Sequence, residues 1–143
     1  YVVETSIGLD RMFLAILSHS FIEEELENGE NRVVLKIPAV LAPLKTAILP
    51  LTKKDGLPEK AREIMKMLQV DFNCQYEAKD SIGKRYRRQD AIGTPLCITV
   101  DHQTLEDNTV TLRDRDTMKQ ERISVDKLHS IIADKVNIAK YLA

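Results

Sequence analysis

The sequence predicts an α/β fold: a three-layer α/β/α arrangement around a mixed, mostly parallel five-stranded sheet. Three observations predict it. From Lys45 onward, apolar runs of strand length alternate with amphipathic helical segments. Two of those runs, Thr46–Leu51 and Leu96–Val100, are apolar enough to be buried strands. The three strand segments after Pro95 are joined by short links, so at least one runs antiparallel to its neighbour. With 143 residues, 43% apolar and 30% charged, the chain is long enough for one domain with a real core.

The elements follow in order. Leu9, Met12, Phe13, Ile16 and Leu17 recur at helical spacing, which predicts a helix from Asp10 to about Phe21, entered from a short N-terminal strand. Gly8 at its start leaves room for a ligand or for backbone. Glu23 to Arg32 is almost wholly polar and contains Asn28-Gly29, a turn or linker signal. That places the domain boundary between residues 1–31 and 32–143. Arg32 to Ala42, punctuated by Pro38 and Pro43, reads as an extended connection with one short strand. After the strand at Thr46–Leu51, Asp55-Gly56 turns the chain. Pro58 suits a first helical turn, and Leu57, Ala61, Ile64, Met65 and Leu68 share a helical face.

Phe72, Cys74 and Tyr76 alternate as a strand does. Ser81 to about Ile92 is a basic helix closed by Gly93 and Pro95. Strands follow at Leu96–Val100, around Val110 and Leu112, and at Glu121–Val125. Ser124 stands where it can cap a last helix carrying Leu128, Ile131, Ile132 and Val136.

Composition narrows the function. Trp is absent and only 5% of residues are aromatic, so no stacking platform for single-stranded nucleic acid is advertised. The net charge of −1 means that any nucleic-acid contact comes from a local patch. Cys74 and Cys97 fall in apolar runs and read as buried free thiols of a reducing compartment. His19, His102 and His129 are isolated from one another and from both cysteines, so no metal site is expected. Neither a signal peptide nor a membrane-spanning stretch stands out, so a cytoplasmic protein with no membrane partner is expected.

Three segments carry candidate chemistry. In Glu4-Thr5-Ser6-Ile7-Gly8-Leu9-Asp10-Arg11, a carboxylate pairs with an ammonium group, a serine adds a hydroxyl and an arginine forks onto phosphate. The plainer reading, a strand ending in a solvated helix, is favoured on spacing alone. In Ser81-Ile82-Gly83-Lys84-Arg85-Tyr86-Arg87-Arg88-Gln89-Asp90, a helix puts Lys84, Arg85 and Arg88 on one face, with Arg87 and the Tyr86 ring beside them. That suits phosphate-backbone contact, in balance with a solvated charged face. In Thr111-Leu112-Arg113-Asp114-Arg115-Asp116, alternation separates arginines from aspartates. They suit either base-edge reading or, more often, an ion-pair ladder closing a hairpin. Asp101-His102 is an adjacent pair that diverges on a strand and reads as structural. No Cys–His or Ser–His–Asp arrangement is visible.

Taken together, these runs resemble the homodimeric, class II glycyl-tRNA synthetases. Glu4 to Ala15 looks like that family's class II motif 3. Ala42 to Leu51 looks like its entry into the anticodon-binding domain. Ser81 to Pro95 and Thr109 to Met118 are similar to its C-terminal signatures. The resemblance covers nearly the whole chain and is least distinctive after about Asp126. It implies glycine binding at Glu4, Thr5, Ser6, Ile7 and Gly8, with Thr5 departing from the proline often found there. It implies ATP binding at Gly8, Leu9, Asp10 and Arg11, with Arg11 on the phosphates and magnesium accompanying ATP in an intact homodimer.

From about Ala42 the resemblance implies an anticodon-binding module, with tRNA-Gly as partner and no DNA. Charge and placement nominate Arg85, Arg88, Arg113 and Arg115 as its tRNA contacts. The chain opens at Tyr1 without class II motifs 1 and 2. It is therefore expected to be a fragment that neither activates glycine nor charges tRNA alone. Two other readings remain: a non-catalytic nucleic-acid-binding relative of the polymerase accessory subunit type, and a small-molecule regulatory α/β domain.

Overall fold

A computed structural model describes residues 1–26 and 29–142. Its centre is a five-stranded sheet in the order β4-β3-β5-β6-β7, with β3 Thr46–Pro50, β4 Cys74–Tyr76, β5 Leu96–Val100, β6 Thr109–Asp114 and β7 Gln120–Ser124. β3 pairs in parallel with β4 and β5, while β6 is antiparallel to both β5 and β7. Only β6 therefore opposes the common direction, and the sheet is mixed but mostly parallel.

Every residue of β3 and of β5 is buried, which requires a layer on each face. On one face Ile48, Ile98, Val110 and Leu112 meet Leu57, Ala61, Ile64 and Leu68 of helix α2 (Leu57–Leu68). Leu128 and Ile132 of α5 (Leu128–Lys135) complete that core. On the other face Ala47, Leu49 and Cys97 pack against Ile82 and Tyr86 of α3 (Ile82–Ile92). Strand period two and helix period 3.6 thus divide one sequence between two cores.

Local chemistry fixes the helix ends. Gly56, at φ 77°, makes the left-handed turn into α2, and Pro58 occupies the first turn. α3 ends in a Schellman pattern: the Thr94 N–H reaches the Gln89 carbonyl at 3.0 Å and the Gly93 N–H reaches the Asp90 carbonyl at 3.2 Å. Gly93 stands at φ +84°, and a Cβ there would lie 2.9 Å from Ile37 Cγ2 and 3.1 Å from the Leu35 carbonyl oxygen.

Four expectations are corrected. The polar run after Phe21 is not a linker. β1 (Phe21–Glu25) and β2 (Asn31–Leu35) form an antiparallel hairpin, with Glu24 opposite Arg32. Asn28 of its expected turn lies outside the described residues, and the 31/32 boundary falls inside β2. Residues 1–8 form no strand, since no described strand lies alongside to pair with them; α1 spans Leu9–Ser20. Asp101-His102 is not in a strand. Asp101 caps a further helix, α4 (His102–Asp107), its carboxylate accepting from the Thr104 N–H while the Thr104 hydroxyl accepts from the Asp101 N–H. Ser124 makes no capping hydrogen bond, because a 3₁₀ turn at Val125–Lys127 intervenes before α5.

Candidate nucleic-acid interface

In an open α/β sheet, ligands are taken where parallel strands end and successive connections leave in opposite directions. Here that place lies beyond Pro50 of β3. The α2 connection goes from β3 to the edge strand β4, and the α3 connection returns across β3 to β5. Three segments form the rim. Leu51–Gly56 follows β3, Glu77–Ser81 follows β4, and Asp101 with α4 follows β5.

The rim carries exposed cations. Lys53 and Lys54 are exposed, and their side chains have no ion pair among the described residues. Lys79 is exposed on the next segment and Lys84 in the first turn of α3 that follows it. Arg88 holds the Asp80 carboxyl below its usual range by hydrogen bonding, with Lys79 and Lys84 adding their charge. His102 Nε2 lies 3.8 Å from the Asp55 carboxylate, joining the first and third segments. At the far side Arg122 forks onto Asp101, its second amino group donating at 2.9 Å, and reaches the Thr109 hydroxyl at 2.6 Å. That guanidinium holds the Asp101 carboxyl below its usual range, before any contribution from the Thr104 cap. The rim thus offers mobile point charges for phosphates, with acceptors and forked donors between them.

The four arginines nominated from sequence are placed differently. Arg85 is buried, donating to the carbonyls of Pro50 at 2.6 Å, Glu77 at 3.3 Å and Leu51 at 3.3 Å. Arg113 is buried beneath α3, forked onto Asp90 at 2.8 and 3.0 Å, with its guanidinium 4.7 Å above the Tyr86 ring. Arg115 is buried at the opposite pole, donating to the Gly93 and Ile37 carbonyls. Arg88 alone is substantially exposed, at 42% of its side chain, yet it pairs with Glu77 and Asp80. Three of the four guanidiniums are therefore committed to the protein's own carbonyls and carboxylates and present little surface to a ligand. Tyr86 is no open stacking ring either, since its hydroxyl bonds Thr99 at 2.6 Å and Arg113 covers its face.

Asp90, fully buried, also accepts from Arg32 Nε at 2.9 Å. Arg32 binds Glu24 and the Arg115 carbonyl as well, so the β1–β2 hairpin is locked onto α3. Lys53, Lys54 and Lys79 are rim residues that the sequence reading does not nominate. The signal available for the first two was their place after a buried strand whose helix turns back.

Residues 1–11 are exposed throughout. The carboxylate of Glu4, the hydroxyl of Ser6 and the guanidinium of Arg11 have no second wall facing them among the described residues. Gly8, at φ −74°, would accept a Cβ with only ordinary contact to Arg11, so nothing within the chain demands glycine there. No group of three His, Cys, Asp or Glu among the described residues could hold a metal ion. No described helix is long and apolar enough to cross a membrane.

Comparison with known proteins bears on this rim. The family described as the anticodon binding domain matches residues 45–135, more than half of the chain and all five strands of the sheet. The chain belongs to this family. The chain is also 54% identical over 136 residues to a glycine–tRNA ligase of Clostridium tetani, covering 95% of this chain and 29% of that protein. It is 52% identical over 136 residues to a glycine–tRNA ligase of Borrelia hermsii, covering 31% of it. A glycine–tRNA ligase of Chlorobaculum tepidum is 53% identical over the same length. The chain thus spans about three tenths of the length of these curated relatives.

Proposed function

We propose that this chain is the anticodon-binding part of a glycine–tRNA ligase, and that it holds the anticodon arm of tRNA-Gly against the rim at the carboxyl ends of β3, β4 and β5. The observation that carries the reading is the cluster of Lys53, Lys54, Lys79 and Lys84 at the place where the sheet's connections diverge, within the matched family segment. Lysines there neutralise phosphates, and the Asp101–Arg122 pair beside them supplies an acceptor and a forked donor for base edges. Relatives named as ligases favour this reading over a binding-only one.

The intact protein then activates glycine with ATP and magnesium and transfers it to tRNA-Gly as a cytoplasmic homodimer. Glu4, Thr5, Ser6, Ile7 and Gly8 serve the glycine side, and Gly8, Leu9, Asp10 and Arg11 the ATP side. Because those residues are exposed and unenclosed, the chain by itself is expected to catalyse neither step.

The test is binding of the chain to a tRNA-Gly anticodon stem-loop and to one with the second and third anticodon bases changed. Engaging about three or four phosphates predicts that affinity falls roughly 20- to 50-fold between 50 and 200 mM salt. A preference for the glycine loop supports anticodon reading. Equal affinity for both loops contradicts it.

A further inference from the structure

Both terminal nitrogens of Arg85 donate to backbone. Its side chain lies under the rim, 3% exposed, and touches the last residue of β3 (Pro50), the first residue of the next loop (Leu51) and the first residue after β4 (Glu77). Those carbonyls begin the two segments that carry Lys53, Lys54 and Lys79. Arg85 is the side chain that joins the two segments. The Leu51 N–H donates to the Val100 carbonyl and the Glu77 N–H to the Ile48 carbonyl, both at the strand ends. Thr52 bonds only the Lys54 backbone, and Arg88 ties Glu77, the Lys79 carbonyl and Asp80 within the second segment. Among the described residues no other hydrogen bond or ion pair runs from one segment to the other. The Arg85 Nε–H remains buried without a partner, a desolvation cost incurred to place the other two nitrogens.

We infer that Arg85 is the positioning residue of the rim: it fixes the distance between the two lysine-bearing loops and so sets the phosphate spacing the chain accepts. This rests on the rim being the tRNA-binding surface. A planar fork that meets three carbonyls on two segments does what a lysine cannot, since an ammonium is a point donor on a flexible stem. Held loops lose less conformational freedom when a ligand arrives, which is where the affinity gain comes from.

The experiment measures anticodon stem-loop affinity and amide hydrogen exchange for the chain, for Arg85→Met and for Arg85→Lys, each with and without Lys53→Ala/Lys54→Ala, at a temperature where every variant is folded. Arg85→Met keeps the buried volume, and Arg85→Lys keeps the charge should the first fail to fold. The inference predicts faster exchange at residues 51–56 and 77–81, affinity lower by about tenfold or more, and a smaller effect of the double lysine substitution in the Arg85 variants than in the parent. Loss of melting temperature with unchanged affinity in the folded protein would overturn it. So would full additivity of the arginine and lysine effects. If Lys53→Ala/Lys54→Ala leaves binding by the parent unchanged, the rim reading itself fails, whatever the exchange data show.

Discussion

Asp90→Ala should be among the most damaging single substitutions in this chain. The carboxylate is fully buried and accepts from Arg32 Nε at 2.9 Å and from both terminal nitrogens of Arg113 at 2.8 and 3.0 Å. Removing it leaves two guanidiniums, both nearly without solvent contact, facing a void. Breaking a buried pair from one side costs about 3–5 kcal/mol, because the charge left behind is uncompensated. Arg113 keeps its stack on Tyr86 and Arg32 keeps Glu24, so that range applies once to the whole network rather than to each arginine. At roughly 3 °C per kcal/mol for a chain of this size, the melting temperature falls by about 10–15 °C.

Urea unfolding followed by circular dichroism measures it. Replacing all three residues together, Asp90→Leu with Arg32→Met and Arg113→Met, should recover most of the loss, since well-packed apolar side chains replace a buried ion network at little net cost. An Asp90→Ala cost below about 1 kcal/mol would refute the reasoning, for it would mean that the arginines find water or other partners.

Other outcomes follow from the same structure. Gly93→Ala is expected to cost more than about 1 kcal/mol in urea unfolding, because alanine resists φ +84° and its Cβ would press on Ile37 and the Leu35 carbonyl. Burial pushes the Cys97 thiol up to about 12 and the Cys74 thiol up to about 11, so a disulfide reagent at pH 8 should label neither quickly until urea unfolds the chain. The Asp101 carboxyl is depressed, first by Arg122; its contribution is present above the unfolded carboxylate pKa and is lost as pH falls through the lower folded value. Arg122→Ala should therefore flatten the acid limb of stability below about pH 5, read from melting temperature against pH.

Much of the fold was legible because local chemistry agreed with the sheet. Leu57, Ala61, Ile64 and Leu68 declare their helix, and Gly93 with Pro95 declares the end of the next. The hairpin was hidden because its inward positions include Arg32. A buried arginine is indistinguishable in sequence from a solvated one until its carboxylate is known, and Asp90 stands 58 residues away. The same blindness turned Arg85, Arg113 and Arg115 into expected surface contacts, when their partners are carbonyls and a carboxylate brought close only by the tertiary fold. α4 was missed although Asp101 and Thr104 have capping-box spacing, since six residues between two strands carry too little periodicity to show. The rim lysines were present in sequence, but only the strand order reveals that residues 53, 54, 79 and 84 share one end of the sheet.

The most direct measurement is a map of backbone amide shifts as the tRNA-Gly anticodon stem-loop is titrated into the isotopically labelled chain. The account predicts that shifts concentrate in residues 51–56, 77–84 and 101–102, and that added salt reverses them. Shifts concentrated instead at the opposite pole, around residues 36–39 and 115–119, would contradict it.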